Sequence, residues 1–247
     1  MEDTLAGGRV VPLLRGRFGS PYRFHASCPS TQLLLRDDDP EGTVVAADEQ
    51  TQGRGRRGRQ WQADAGLALL VSVLLRPPRI ELAPQLSLVG GLATALTVEA
   101  ELSRPAGLKW PNDVLVDGRK VAGVLAEGRA GAIVLGIGLN VNQGANELPG
   151  DARTPAASLR VLDGRPRDRG VVLAMLLLEL EHAYDRWQEG GLAALHGELA
   201  RRDCLAGQEV AVGDVHGTAV GIGLDGRLVV RTGTHEVAVA SGEVGEA

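Results

Sequence analysis

The chain has 247 residues, of which 44% are hydrophobic and 23% charged, the composition of a folded globular protein with room for one large domain and a small one. Its 31 acidic residues outnumber its 26 lysines and arginines, so the net charge is −5, which argues against a dedicated nucleic-acid binder. The two cysteines, Cys28 and Cys204, are too few for a disulfide framework and lack metal-ligand spacing.

The chain shows no sign of export or membrane insertion. Residues 1–8 include two acids and lack the basic segment and apolar core of a signal peptide. The longest apolar run, 171–178, is far shorter than a membrane span. We therefore expect a cytoplasmic protein without a membrane partner, and the sequence leaves its oligomeric state open between monomer and homodimer.

The first part of the chain mixes predicted helices and strands, which favours an α+β fold. Ser30, Thr31 and Gln32 precede a leucine run and indicate a capped helix start. Apolar, β-branched runs predict strands at 43–47, 67–75 and 132–141. Hydrophobic periodicity predicts helices at 82–102, 168–188 (capped by Asp168) and 192–201. Asp117-Gly118 lies between two apolar runs and predicts a two-residue β-hairpin that joins strands at 114–116 and 121–124.

From about residue 205 the pattern changes to short strands, with a turn at Asp225-Gly226. The predicted strands are 209–212, 217–222, 227–230 and 236–239. Four or five short strands in roughly forty residues indicate a small barrel of SH3-like size. We expect one large domain over 1–204 and this barrel over 205–247, and we expect no chemically active residues in the barrel.

The segment from Gly53 to Trp61 carries four arginines and three glycines in nine residues. So much charge on so flexible a backbone is unsuited to a helix or a buried strand. Glycine lets backbone N–H groups approach a ligand, and arginine offers forked donors to phosphate or carboxylate. The segment indicates a loop that closes over a polyanion, and by itself it leaves a solvated basic turn or a nucleic-acid patch as alternatives.

Two further segments have chemical potential. Lys109-Trp110-Pro111-Asn112-Asp113 places a lysine at the end of a predicted strand, where its ammonium can reach a pocket edge, although most lysines face solvent. Its Asn and Asp are common turn residues, and an aspartate beside a nucleotide could hold Mg²⁺ through water. Gly136 to Asn142 puts glycines inside an apolar strand, which often marks close approach by a ligand or another backbone.

Taken in order along the chain, these segments resemble the biotin–protein ligases, the biotin–[acetyl-CoA-carboxylase] ligases. The motifs that carry the resemblance are Ser30-Thr31-Gln32, Gln50, Gly53 to Arg59 with Trp61, Lys109 to Asp113, Lys120 to Gly123 and Gly136 to Asn142. The resemblance covers nearly the whole chain. It implies a class II aminoacyl-tRNA-synthetase-like α+β catalytic domain, shared with lipoate ligases, followed by the family's small C-terminal SH3-like barrel.

The resemblance implies a reaction in two steps. Biotin and ATP, with Mg²⁺, give biotinoyl-5′-AMP and pyrophosphate, and a lysine of a biotin carboxyl carrier protein then takes the biotinoyl group. We expect no metal-binding residues in the protein itself. Some members carry an N-terminal DNA-binding domain that acts as a repressor, and the residues before the catalytic core show no paired-helix pattern. We therefore expect a ligase without the repressor domain and without a nucleic-acid partner.

The resemblance also assigns roles to single residues. Lys109 and Arg56 are expected to be catalytic. The residues expected to bind biotin or its adenylate are Ser30, Thr31, Gln32, Gln50, Gly53, Arg54, Gly55, Arg56, Trp61, Lys109 and Gly123. Arg57, Asn112 and Asn140 are expected beside ATP or the adenylate. Gln32 departs from the family's pattern, in which asparagine is more usual.

Two alternative functions stay open at this point. A lipoate–protein ligase shares the implied fold and the adenylation chemistry, and substrate assays separate it from a biotin ligase. A non-enzymatic nucleic-acid-binding module would use the arginine segment on phosphates, and its affinity would fall steeply with salt. That module leaves Lys109 to Asp113 without a role.

Overall fold

The computed structural model describes residues 4–129, 131–150 and 154–246. The chain folds as a mixed α/β protein with one large sheet and one small antiparallel sheet. The strands of the large sheet are β1 (Tyr22–Cys28), β2 (Val44–Gln50), β3 (Ala68–Leu75), β4 (Gly107–Lys109), β5 (Asp113–Val116), β6 (Arg119–Arg129) and β7 (Ala132–Asn140). They lie in the order β1-β2-β3-β7-β6-β5-β4, and only β1 and β2 run parallel.

Two long helices, α3 (Ala83–Leu102) and α5 (Arg169–Gly190), pack against each other, and α3 also covers the sheet. Asp168 caps α5, because its side chain accepts hydrogen bonds from the N–H groups of Gly170 and Val171. The shorter helices are α1 (Gly7–Val10), α2 (Thr31–Leu34), α4 (Leu159–Asp163) and α6 (His196–Arg202). Short 3₁₀ turns lie at Val11–Leu13, Arg56–Gly58, Ile80–Leu82, Ala145–Glu147 and Gly191–Ala194.

The two faces of the large sheet have different neighbours. A Cβ built on Gly90 of α3 would lie 3.0 Å from Val124 of β6 and 3.1 Å from Leu135 of β7, so α3 lies directly on this face. Side chains alternate along a strand. The residues that follow, Leu125 and Gly136, therefore belong to the opposite face, which is the face that holds the cavity described below.

Most of the predicted elements are confirmed within two residues at each end. The predicted hairpin is present, and Asp117 and Gly118 have φ values of 50° and 73°, as a two-residue turn of this kind requires. The predicted strand 43–47 is longer in the structure, where β2 continues to Gln50, and the predicted strand 121–124 lies within the longer β6. Ser30 precedes α2 as predicted, but its side chain makes no capping hydrogen bond. The predicted helix 192–201 is instead a 3₁₀ turn followed by α6. Strand β1 was not predicted, and for β4 the sequence indicated only that Lys109 lies at the end of a strand.

The small sheet has five antiparallel strands in the order β11-β10-β9-β8-β12. They are β8 (Glu209–Val212), β9 (Val215–Ile222), β10 (Leu228–Thr232), β11 (His235–Val239) and β12 (Gly245–Glu246), and only β12 was not predicted. Trp110 Nε1 donates to the Gly226 carbonyl oxygen across the junction with the large sheet (3.0 Å). In the described ranges, no helix has the length and apolarity to cross a membrane.

Candidate active site

A cavity of about 550 Å³ opens on the face of the large sheet that α3 does not cover. Strands β3, β6 and β7 form its floor, and α2, the 109–113 turn and the 53–61 segment form its walls. Six basic and two acidic residues line it, namely Arg54, Arg56, Arg57, Arg59, Lys109, Lys120, Asp113 and Glu243. This excess of positive charge in a protein of net charge −5 favours an anionic ligand.

Three glycines on the floor let side chains lie flat on the sheet. A Cβ on Gly138 would lie 2.5 Å from the Trp61 ring, and a Cβ on Gly123, its partner in β6, would lie 3.1 Å from the same ring. A Cβ on Gly136 would lie 2.9 Å from the Gln32 side chain. The glycines inside β7 were predicted to mark a place where a ligand or another backbone comes close to the strand. In the structure, the groups that come close are the side chains of Trp61 and Gln32.

One end of the cavity is polar and preorganised. Gln50 Oε1 accepts hydrogen bonds from the Thr31 N–H (2.8 Å) and hydroxyl (3.0 Å). The hydroxyls of Thr31 and Ser72 are 2.7 Å apart. Ser30, Thr31 and Gln32 are all buried. The sequence analysis missed Ser72, although a single hydroxyl in the otherwise apolar strand β3 was a usable signal.

The segment 53–61, called here the arginine hairpin, closes on itself through its backbone. The Trp61 N–H donates to the Gly53 carbonyl (3.0 Å) and the Gly55 N–H donates to the Arg59 carbonyl (2.8 Å). At its tip, Arg57 has φ 57° and Gly58 has φ 75°. Arg54, Gly55, Arg56 and Arg57 line the cavity as expected for neighbours of a ligand.

Gly53, which was also expected to contact the ligand, is not among the residues that line the main cavity. It lies at the neck of the arginine hairpin, where a Cβ would come within 2.2 Å of the Trp61 carbonyl oxygen. Only glycine can therefore occupy this position without moving the hairpin. Its contribution to the site is to the shape of the backbone.

Arg56 is a half-buried cation of the hairpin, with Arg57 and Arg59 close to it. Burial lowers the pKa of Arg56 from its usual value, and the neighbouring charges of Arg57 and Arg59 lower it further, while Asp113 acts in the opposite direction. Its Nη1 is 3.5 Å from Asn112 Oδ1, which is long for a hydrogen bond. An anion bound beside Arg56 would relieve this unfavourable charge.

Both lysines of the chain, Lys109 and Lys120, line this cavity, whereas all the other basic residues are arginines. Lys109 ends β4, and its Nζ is 3.2 Å from Thr154 Oγ1. Lys120 Nζ lies 2.7 Å from Asp113 Oδ1 and 5.7 Å from the centre of the Trp61 ring. Lys120 was not among the predicted site residues, and the scarcity of lysine was the sequence signal that could have found it.

Two of the predicted site residues, Asn112 and Asn140, line the cavity, but their side-chain amides are hydrogen-bonded to other groups of the protein. Asn112 Nδ2 donates to the Val124 carbonyl (3.0 Å). Asn140 Nδ2 donates to the Ala157 carbonyl (3.0 Å), and its Oδ1 accepts from Gln143 Nε2 (3.0 Å). Their geometry gives them a role in shaping the walls.

The C-terminal segment also reaches the cavity. Gly242, Glu243 and Val244 line it, and Glu243 forms an ion pair with Arg59 of the arginine hairpin. We expected the tail to carry no chemically active residues, and the structure adds that one of its carboxylates, Glu243, lies on the cavity wall. The residue lies far from the hairpin in sequence, and no local pattern links the two.

Comparisons with known proteins agree with this geometry. Residues 26–143 match the biotin/lipoate A/B protein ligase family. The chain is 38% identical over 216 residues to the biotin–[acetyl-CoA-carboxylase] ligase of Mycobacterium tuberculosis, covering 83% of this chain and 79% of that protein. It is 33% identical over 209 residues to the bifunctional ligase/repressor BirA of Bacillus spizizenii, covering 81% of this chain and 64% of the relative's length.

Solved structures show the same relationship. The biotin protein ligase from Aquifex aeolicus in complex with biotin and ATP superposes with a TM-score of 0.83 at 33% identity, covering 91% of this chain and 97% of that one. The structure without these ligands gives a TM-score of 0.80 at 30% identity, covering 92% and 98%. The fold and the site thus define a ligase of the biotin/lipoate type. Within that class, the chain belongs to the biotin protein ligase family.

Proposed function

We propose that the protein is an ATP-dependent biotin–protein ligase. It forms biotinoyl-5′-AMP and pyrophosphate and then transfers the biotinoyl group to a lysine of a biotin carboxyl carrier protein. The observation that carries the proposal is one cavity with a buried polar end, a glycine floor and six basic residues. The relative named biotin–[acetyl-CoA-carboxylase] ligase and the relative bound to biotin and ATP support these substrates.

The polar end of the cavity suits the ureido ring of biotin. Thr31, Gln50 and Ser72 form a connected hydrogen-bonding group there, and a ring with two N–H donors and one carbonyl needs such partners in a dry pocket. The apolar remainder of biotin would lie on the glycine floor beside Trp61. Its carboxylate would then point toward the lysines and arginines.

In the first step, a carboxylate oxygen of biotin attacks the α-phosphorus of ATP, and pyrophosphate leaves. The enzyme must hold two anions together, so cations that are already in position lower the barrier. Lys109, Lys120 and Arg56 line the cavity where these charges would meet. Asp113 holds the Lys120 ammonium in place, so that this donor need not reorganise during the reaction.

In the second step, the amine of the carrier lysine attacks the acyl carbon, and AMP leaves. The mixed anhydride must be kept from water until the carrier arrives. The arginine hairpin covers the cavity and is suited to this task, because its cations can pair with the adenylate while its backbone closes on itself. Catalysis rests mainly on positioning and electrostatics.

Two acidic side chains, Asp113 and Glu243, line the cavity. Among the residues that the structure describes, no three potential ligands cluster to hold a metal ion. The two carboxylates of the cavity are paired, Asp113 with Lys120 and Glu243 with Arg59. Magnesium usually enters such sites bound to substrate phosphates and water.

We further propose that residues 1–204 form a class II aminoacyl-tRNA-synthetase-like domain and residues 205–247 an SH3-like barrel. The helix-backed seven-stranded sheet and the five-stranded antiparallel sheet support this division. We retain a cytoplasmic location, a monomer or homodimer, and the absence of a nucleic-acid partner as expectations.

The deciding experiment is transfer of labelled biotin to a biotin carboxyl carrier domain, with and without ATP. We expect ATP-dependent label on one carrier lysine and release of pyrophosphate. A parallel reaction with lipoate and a lipoyl carrier domain tests the alternative ligase. Transfer of lipoate in place of biotin would overturn the proposal, as would salt-sensitive RNA binding without any transfer.

A further inference from the structure

A second cavity, of about 290 Å³, lies behind the arginine hairpin. It is lined by residues 52–60 on one side and by Leu125 and Glu127 of β6 on the other. The hairpin is therefore not packed tightly against β6 along this face. The backbone hydrogen bonds of the hairpin are made within the hairpin itself. It can therefore rotate as a unit about Gly53 and Trp61 without breaking them.

Two features of the hairpin favour lifting it from the floor. It carries four arginines within six residues, and like charges so close together repel one another. In addition, the Trp61 Nε1 is buried against the floor and has no hydrogen-bond partner within the described chain. A buried donor without a partner is unfavourable, and lifting the hairpin would return it to water.

One ion pair spans the second cavity and opposes this movement. Arg54 Nη1 lies 2.8 Å from Glu127 Oε2. In the described part of the chain, Glu127 is the only carboxylate that lines this cavity. Its backbone is fixed in β6, where it is paired with Val134 of β7. The Glu127 end of the ion pair is therefore held by the sheet, whereas the Arg54 end belongs to the hairpin, which can move.

We propose that Glu127 is a positioning residue of the ligase. Through Arg54 it holds the arginine hairpin and Trp61 down over the main cavity, and so retains biotinoyl-AMP until the carrier lysine arrives. The retention of biotinoyl-AMP rests on the proposed function, whereas the contact between Glu127 and the hairpin does not. Without Glu127 the Arg59–Glu243 pair remains, but the equilibrium shifts toward a lifted hairpin with Trp61 off the floor, and the adenylate escapes more easily.

Trp61 supplies a probe of the contact between Glu127 and the hairpin, and it needs no substrate. The other two tryptophans, Trp110 and Trp187, are only 2% and 3% exposed, whereas Trp61 is partly exposed. Quenching of fluorescence by acrylamide therefore reports mainly on Trp61. Parallel measurements on proteins that also carry Trp61→Phe subtract the signal of the two buried rings.

The variants are Glu127→Ala, which removes the carboxylate, and Glu127→Gln, which keeps an acceptor and removes the charge. Glu236→Ala is the matched control, because it breaks the Arg231–Glu236 pair, also at 2.8 Å, in the small sheet. An exposed ion pair shifts an equilibrium by about two- to fivefold, and this factor is the upper limit of the rise that we expect in the Trp61 quenching constant of Glu127→Ala. The quenching constant of Glu127→Gln should lie between those of wild type and Glu127→Ala, and that of Glu236→Ala should equal the wild-type value.

In the coupled assay, Glu127→Ala should release more free adenylate per biotin transferred to the carrier, with a nearly unchanged melting temperature. Quenching and adenylate release equal to wild type in both Glu127 variants would overturn the proposal. A wild-type protein that transfers no biotin would overturn the proposed function instead, and the quenching comparison would still decide whether Glu127 holds the hairpin.

Discussion

The floor and the arginine hairpin face each other across the main cavity, and they are held in opposite ways. The floor strands β3, β7 and β6 are hydrogen-bonded along most of their lengths, and their other face is packed on α3. The hairpin closes on itself and contacts the rest of the molecule through the Trp61 ring on the floor and through arginine side chains, including Arg54 to Glu127 and Arg59 to Glu243. The rigid floor therefore defines shape, and the movable hairpin supplies charge.

This difference explains where each residue type is found. The floor needs glycines, because Trp61 and Gln32 occupy the space that side chains would fill. The hairpin needs arginines, because long cations can reach both a ligand and distant carboxylates. A substitution in the floor should therefore change which ligands fit the cavity. A substitution in the hairpin should change how long a bound ligand stays there.

The largest effect is expected from Lys109, which lies between the two regions at the end of β4. Lys109→Ala removes a preorganised cation at the point where two anions meet, so adenylate formation should fall by at least about 100-fold. The fold should be unaffected, because the side chain's described partner is a single threonine hydroxyl. Pyrophosphate release measures the first step.

Arg231→Ala, which removes an exposed cation from the small sheet, is the control for the loss of positive charge. Near-normal pyrophosphate release by a folded Lys109→Ala protein would contradict the catalytic role. In that case Lys120 would be the cation expected to promote adenylate formation.

A smaller effect is expected from the floor. In Gly138→Ala the new methyl group would lie 2.5 Å from Trp61, so the ring must move. Overpacking of this kind costs about 1–3 kcal/mol, and we expect biotin to bind about tenfold more weakly. Calorimetric titration with biotin measures the change.

Gly128→Ala is the matched control, since Gly128 also lies in the sheet and a Cβ there meets no atom within 4 Å. If both variants bind biotin as wild type does, the floor does not define the shape of the site.

The smallest effect on the first step is expected from Arg56→Gly in the hairpin. It removes one cation of a cavity that Lys109 and Lys120 also line, so adenylate formation should fall by about threefold or less. The intermediate should instead escape and acylate lysines of a bystander protein, detected by mass spectrometry. A bystander is needed because both lysines of this chain line the cavity.

Wild-type enzyme with the same bystander is the control for leakage. If adenylation is intact and no bystander lysine is modified, Arg56 does not hold the hairpin closed. If both steps fail together, Arg56 acts in the transition state.

Much of the fold could be predicted because the relevant signals are local. Helices α3 and α5 and strands β2, β3 and β7 follow from hydrophobic periodicity, and the turn at Asp117-Gly118 follows from the residues it contains. Strand β1 was missed. It is at the edge of the large sheet, and its polar, half-exposed sequence lacks the apolar run that marks a central strand.

The candidate site divides in the same way. The sequence alone determined which segments carry chemistry, because an excess of arginine and glycine, or a lysine before a Trp-Pro turn, is visible within a few residues. The tertiary structure decided which groups meet. The contacts of Thr31 with Ser72, of Arg54 with Glu127 and of Arg59 with Glu243 join residues far apart in the chain. Such contacts depend on strand order and register, which follow from the packing of the whole molecule and not from any local pattern.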